Sequence, residues 1–347
     1  MQKIMSIVLV VILAMGTIGC EASYATKKRL TKLPKLPRII ESEDGVIANK
    51  GTYDFRKMKE DLKALEGRFP DKMSYSSIGK SIEGRELYAV KIGKGENKIL
   101  LVGSVHAREW MTSYLLMGLL ELYLESEQQG KRVGGYNIKK MLKNTTITFV
   151  PMLNPDGVDL VLNGVGPRDK EELLKMNDQE ADFTRWKANI AGVDLNRQFN
   201  ADWEKTHSKE GPSFENYKGE KYLDQPESAA LVRLTQEEDF DITVAYHLSG
   251  SVIFWYYHQK NSTYKRDLRI AKGLRWITGY KLVEEEDSDS AAAGFKDWFV
   301  KVYEKPGYTI EIGDKRYDAI QEKDLPRFIK ENRRVVPYLA KAAKKIK

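Results

Sequence analysis

Lys98-Ile-Leu-Leu-Val-Gly-Ser-Val105 runs without a break into His106-Ala-Arg-Glu109. The first half is a continuous apolar run of strand length, the kind that is buried on both faces of a mixed or parallel sheet. Such a strand needs helices above and below it, and the flanking sequence alternates accordingly. Upstream, residues 55–69 carry the period of an amphipathic helix, and Glu86-Leu-Tyr-Ala-Val-Lys-Ile-Gly93 reads as a strand. Downstream, Tyr114 to Leu124 reads as a helix and Thr145-Thr-Ile-Thr-Phe-Val-Pro-Met-Leu153 as a strand, closed by the turn Asn154-Pro-Asp-Gly157. Ile242-Thr-Val-Ala-Tyr-His247 and Gly307-Tyr-Thr-Ile-Glu-Ile312 are two further strands. Strands interleaved with helices predict a single α/β domain with helices on both sheet faces.

Chemistry in such folds gathers beyond the strand ends. His106, His247 and Glu311 all stand at or near such ends. Two imidazoles and the Glu109 carboxylate make a His₂Glu set, the ligand type of a catalytic zinc that keeps one position open for water. The spacing differs from an HExxH helix, where both histidines share one helical face; here the second histidine comes from another strand. On spacing alone, His106-x-x-Glu109 also suits a strand-end histidine that is simply hydrogen-bonded, and His247 a satisfied core histidine. His207 and His258 have no partner pattern and read as surface and packing residues.

The 347 residues, 41% of them apolar, suffice for one large domain or two small ones. A charged fraction of 31% excludes a membrane-embedded chain, and that composition also excludes disorder. The net charge of +7 implies a mildly basic surface. No cluster of Arg, Lys and aromatics marks a nucleic-acid groove, so no nucleic-acid partner is expected.

Met1-Gln-Lys3 precedes an apolar core over residues 4–15, of signal-peptide length and short for a membrane span. Gly16-Thr-Ile-Gly-Cys20 follows, and Cys20 is the single cysteine. This resembles the lipobox of a bacterial lipoprotein, with Thr17 in place of the usual leucine; an ordinary secretory signal is the other reading. Residues 1–19 are therefore expected to be a signal peptide, and residues 20–50 a lipidated Cys20 and polar tether. Residues 51–347 form the catalytic domain, exported and held on the extracellular face of the membrane, or secreted. One cysteine excludes an intramolecular disulfide and thiol-based metal sites in the body of the chain. The stretch before Tyr53 is too short for a folded inhibitory propeptide, so no zymogen is expected.

Five segments occur in one order: Gly103-Ser-Val-His-Ala-Arg-Glu-Trp110, Asn154-Pro-Asp-Gly157, Gly192-Val-Asp-Leu-Asn-Arg197, Ala245-Tyr-His247 and Tyr308-Thr-Ile-Glu-Ile312. Together they resemble the zinc metallocarboxypeptidases, relatives of carboxypeptidases A and B, over about residues 50–345. Arg185-Trp-Lys-Ala-Asn189, Asn196-Arg-Gln-Phe199 and Gly294-Phe-Lys-Asp-Trp298 resemble, within that family, the bacterial γ-D-glutamyl-diamino-acid peptidases that cut cell-wall peptides.

The resemblance implies a central, mixed, largely parallel eight-stranded sheet and one zinc ion per monomeric chain. It implies His106, Glu109 and His247 as the zinc ligands and Glu311 as the general base. Asn196 and Arg197 match the pair that holds the substrate's terminal carboxylate, for which a guanidinium fork is suited. Lys187, with Arg185 as the neighbouring candidate, matches the cation that stabilises the oxyanion. Arg108 is a further candidate for substrate contact, or a local salt bridge. The mobile lid tyrosine of animal members has no counterpart in Asp287-Ser-Asp-Ser290, and Tyr280 is not assigned that role. Lys296 matches the base of the pocket for the substrate's last side chain, where an ammonium favours a carboxylate-bearing residue; an exposed helix lysine is the competing reading. Asp287 and Asp289 could face a substrate amine, or be solvated loop residues. The implied substrate is a peptidoglycan stem peptide cut at the γ-D-glutamyl–diaminopimelate bond. The alternatives are a general metallocarboxypeptidase that trims acidic C-terminal residues, and an inactive cell-wall-binding lipoprotein.

Overall fold

The alternation of buried side chains along residues 99–102 gives the sheet one core on each face, and a third, smaller cluster around Leu160, Leu173, Trp186 and Phe214 lies apart from them. Ile99 and Leu101 enter the cluster on one face and Leu100 and Val102 the cluster on the other, all without solvent contact, as a two-residue period requires of a strand covered on both faces. The computed structural model describes residues 45–47, 51–283 and 292–346. The signal segment, Cys20, most of the tether, and the Asp287 and Asp289 region lie outside the described residues.

The strands are β1 (Met73–Lys80), β2 (Glu86–Ile92), β3 (Asn97–Val102), β4 (Arg132–Val133), β5 (Tyr136–Asn137), β6 (Thr145–Val150), β7 (Ile242–Leu248), β8 (Val252–Phe254), β9 (Lys281–Leu282) and β10 (Gly307–Ile312). Eight of them form one sheet in the order β1-β2-β6-β3-β7-β10-β8-β9, and β4 and β5 pair separately. The centre, β6-β3-β7-β10, is parallel. Antiparallel pairing joins β1 to β2, β2 to β6 and β8 to β10. The sheet is thus mixed with a parallel heart, in agreement with the expected α/β class.

On one face lie α1 (Phe55–Arg68), α2 (Met111–Gln128), α7 (Asn261–Thr278), α9 (Leu325–Asn332) and α10 (Val335–Ala343), which bury Leu62, Leu120, Leu274, Phe328 and Leu339 against Ile99, Leu101 and Val244. On the other lie α6 (Pro226–Glu238) and α8 (Phe295–Tyr303), which contribute Leu231, Phe295 and Phe299. Each apolar side chain fully removed from water adds about 1.5–3 kcal/mol. Asp54 caps α1 by accepting from the Lys57 amide at 2.8 Å. Within the expected tether, the Val46 and Ile47 amides donate to Glu121 of α2 at 2.6 and 2.9 Å. Residues 46 and 47, inside the stretch expected to be tether, are thus bonded to the domain.

Asn154-Pro-Asp-Gly157 is a helix start rather than a free turn. Asn154 caps α4 (Pro155–Asn163) by accepting from the Gly157 amide at 3.1 Å, with Pro155 in the first turn. Its side-chain NH₂ donates to Ala188 O at 3.0 Å and Val105 O at 3.3 Å. One buried amide thereby ties the strand-end loop that carries His106 to the 186–189 segment.

Candidate active site

The parallel register places the chemistry. Glu311 on β10 pairs with His247 on β7, and Ala245, two residues earlier, pairs with Val102 at the end of β3. His106 follows four residues after Val102, beyond a tight loop. Gly103 in that loop is a close approach, since a Cβ there would lie 2.6 Å from Pro151 O. Backbone bonds Ala107 N→Lys187 O and Arg108 N→Trp186 O, both 3.0 Å, then lay the 186–187 segment alongside His106.

His106, Glu109 and His247 converge as a buried group. Glu109 Oε1 lies 2.8 Å from His106 Nδ1 and Glu109 Oε2 lies 2.9 Å from His247 Nδ1. The two Nδ1 atoms are themselves only 3.0 Å apart. Asp194, fully buried at the N-cap of a short 3₁₀ turn over Leu195–Arg197, receives His106 Nε2 on Oδ1 at 3.2 Å. That bond keeps the proton on Nε2 and leaves the Nδ1 lone pair facing Glu109 and His247. Lone pairs of two imidazoles and a carboxylate aimed at one point, with a carboxylate behind the first imidazole, fit a zinc ion.

Asp194 also organises the rest of the site. Oδ1 accepts from the Asn196 amide at 3.0 Å, and Oδ2 receives the Lys187 ammonium at 3.0 Å. Burial pushes its pKa up, but Lys187 and His106 outweigh this and hold it well below the usual carboxylate range. Burial works against the Glu109 anion too, and the two histidines reverse the effect. For Glu311 the compensation by nearby cations is incomplete. Burial, opposed by His247 and reinforced by Glu109, raises its pKa to about 7.

A cavity of about 220 Å³ opens beside this cluster. His106, Lys187, Asn196, Arg197, Lys296 and Glu311 all line it. Arg197 donates to Asn196 O at 3.1 Å and, among the described residues, forms no ion pair. Asn196 Oδ1 accepts from the Phe295 amide at 3.1 Å, leaving its NH₂ as a donor for a ligand. Lys296 is buried at 8% exposure, not exposed on its helix. Its ammonium donates to Tyr256 O at 2.7 Å and pairs with Asp297 Oδ1 at 2.5 Å.

Arg185 and Arg108 stand apart from the cavity lining. Arg185 is bonded to Asn177 and Asp178 and lies over the Phe214 ring at 4.0 Å. Arg108 donates to Arg185 O at 2.8 Å, pairs with Glu215 at 3.3 Å and stacks on Tyr317. Tyr280 is buried, hydrogen-bonded to Glu331 and Asn332. His207 is exposed, as expected. His258, read as a packing residue, sits on the cavity wall beside Tyr256 and Tyr257. Sequence reasoning passed over that aromatic wall, which follows the short strand β8, and it passed over Asp194. Asp194 stands two residues before Asn196-Arg197, but nothing in that spacing ties it to His106, 88 residues away.

Residues 58–335 match the family described as zinc carboxypeptidase, the M14 peptidases. The chain is 33% identical over 288 residues to Gamma-D-glutamyl-L-diamino acid endopeptidase 1 of Lysinibacillus sphaericus, covering 80% of this chain and 71% of that protein. It is 37% identical over 287 residues to Uncharacterized protein YqgT of Bacillus subtilis (strain 168), covering 80% of this chain and 74% of that protein. Among solved structures, thrombin activatable fibrinolysis inhibitor superposes with a TM-score of 0.71 at 18% identity, over 88% of this chain and 77% of that one, a likeness of fold. The chain belongs to the M14 zinc carboxypeptidase family, and it is a hydrolase.

Proposed function

We propose that the protein is a one-zinc peptidase that cuts the γ-D-glutamyl–diaminopimelate bond of peptidoglycan stem peptides. The convergence of His106 Nδ1, His247 Nδ1 and both Glu109 oxygens within hydrogen-bond distance carries the metal reading. Those three residues would hold the ion, which when bound would supply Lewis-acid polarisation of the scissile carbonyl and activation of a water molecule.

Every other task falls to the chain. Glu311, raised to about 7, is poised both to take a proton and to return it to the leaving amine. The Lys187 ammonium lines the cavity beside His106 and supplies positive charge where the attacked oxygen becomes negative. Arg185, engaged with Asn177 and Asp178, is not given that role. The Arg197 fork and the Asn196 NH₂ hold a substrate carboxylate and set its register.

The Lys296–Asp297 pair supports a zwitterionic side chain over a simply acidic one. A carboxylate facing Lys296 and an amine facing Asp297 replace one ion pair with two, whereas a glutamate competes for Lys296 and leaves Asp297 with only the Gly294 amide. Diaminopimelate offers both groups, and the Lysinibacillus relative is named for a diamino acid. A stem tripeptide ending in diaminopimelate is expected to be hydrolysed far faster than an N-blocked dipeptide ending in glutamate. Lys296→Ala is expected to erase that preference. Faster turnover of the glutamyl dipeptide would establish a general acidic carboxypeptidase instead.

The Gly16-Thr-Ile-Gly-Cys20 segment supports export and lipid anchoring. Among the described residues no helix is long and apolar enough to cross a membrane. Labelled fatty acid is expected to be incorporated into the parent and not into Cys20→Ser; a parent that takes up no label would remove the lipid from the account.

A further inference from the structure

A second groove, of about 290 Å³, runs between α7 and α10 and shares no lining residue with the catalytic cavity. Its floor is apolar, with Ile270, Ile277 and Tyr338. Gly273 lets the two helices meet there, since a Cβ would sit 1.9 Å from the Tyr338 hydroxyl. Trp276 stands at its edge, 73% exposed, with the Arg334 guanidinium 5.1 Å from its ring centre.

The surrounding charge is of one sign. Arg269, Lys272 and Trp276 follow one another at helical spacings on α7, and Lys341, Lys344 and Lys345 project along α10 and just beyond it, all exposed. Arg266 is engaged with Asp267 at 2.7 Å. No carboxylate lines the groove, and among the described residues none of those other cations forms a salt bridge. The hydrated cations cost nothing where they stand, but a rim of one sign around an exposed indole and an apolar floor has an obvious complement. An anionic bilayer offers phosphates to the cations and a headgroup boundary where an amphipathic ring is at home. A soluble polyanion would engage the cations but leave the indole and the apolar floor without a partner.

We propose that this face, α7 with α10, docks the domain on the surface of an anionic phospholipid membrane, with Trp276 entering the headgroup layer. Each cation near such a surface strengthens binding roughly fivefold, from ~1 kcal/mol per charge, and salt weakens it. The contact is independent of the catalytic reading and of any lipid on Cys20.

The test uses the chain from position 20 onward, without the expected signal peptide and carrying Cys20→Ser, and cosedimentation with phosphatidylcholine vesicles, with and without phosphatidylglycerol. Salt-sensitive binding is expected to the anionic vesicles. It should fall by at least about 25-fold in Arg269→Glu/Lys341→Glu. Trp276→Ala should weaken it several-fold and abolish the quenching by brominated lipid that the parent shows. Lys272→Glu gives a second charge series should the double variant lose its urea midpoint. Equal binding to neutral and anionic vesicles, or binding unchanged in the variants, overturns the proposal. So does inorganic polyphosphate bound as tightly as the anionic vesicles with no loss in Trp276→Ala, which would identify a polyanion site.

Discussion

Asp194 links the parts of the site that must agree. One carboxylate orients His106, neutralises Lys187 and caps the turn bearing Asn196 and Arg197. Asp194→Asn is expected to keep the fold but to lower zinc affinity by about 10–100-fold, as for other partners behind a metal-binding histidine; competition with a chromophoric chelator measures it. Lys187→Ala should lower kcat/KM by about 10²–10³, the scale of losing one oxyanion donor, while Arg185→Ala should leave it nearly unchanged. Equal losses in the two variants would contradict the separation of Lys187 from Arg185. At this scale the sequence was readable as to which residues meet, His106, Glu109 and His247 with Glu311 beside them, and their roles belong to the proposal. Asp194 was not readable, because its role depends on a fold-dependent approach to His106 across 88 residues.

Among elements, long buried strands declared themselves and short or exposed ones did not. β3 and β7 are almost wholly buried, and the apolar runs Ile99–Val102 and Val244–Tyr246 at their centres leave one reading. β1 is an edge strand with mostly exposed or half-exposed residues, and β8 has three residues, too few for a period. Asn154-Pro-Asp-Gly157 has turn composition, yet the same chemistry starts a helix when Asn accepts from the amide three residues on. Asn154→Ala removes that cap and strands two buried carbonyls. The expected cost is about 2–4 kcal/mol, read as a lower urea midpoint. Because the lost bonds include Val105 O, zinc retention should fall with stability. A cost below ~1 kcal/mol would show the cap to be replaceable.

For the whole molecule, Glu227 sets a pH dependence away from the catalytic cluster. It is fully buried, accepts from the Ile82 amide at 3.2 Å, and burial raises its pKa from 4.5 to about 7. A carboxyl raised on folding binds more protons in the native than in the unfolded state, so stability falls as pH climbs from 4.5 toward 7. Glu227→Gln removes the ionisation. The variant should match the parent near pH 5 and exceed it by a few kcal/mol at pH 8, measured as urea midpoints at the two pH values. Greater stability of the parent at pH 8 would reverse the sign and refute the assignment.

The two sheet cores, the parallel centre and the strand-end histidines all direct chemistry to one rim of the sheet, and the family membership says which chemistry. The most direct test strips the protein with a chelator and titrates zinc back while following hydrolysis of a diaminopimelate-ending stem tripeptide. Turnover should rise linearly and level off at one zinc per chain, with Glu311→Gln taking up the same zinc and remaining without measurable turnover. Hydrolysis by the metal-free protein, or full zinc uptake with no turnover in the parent, would contradict the account.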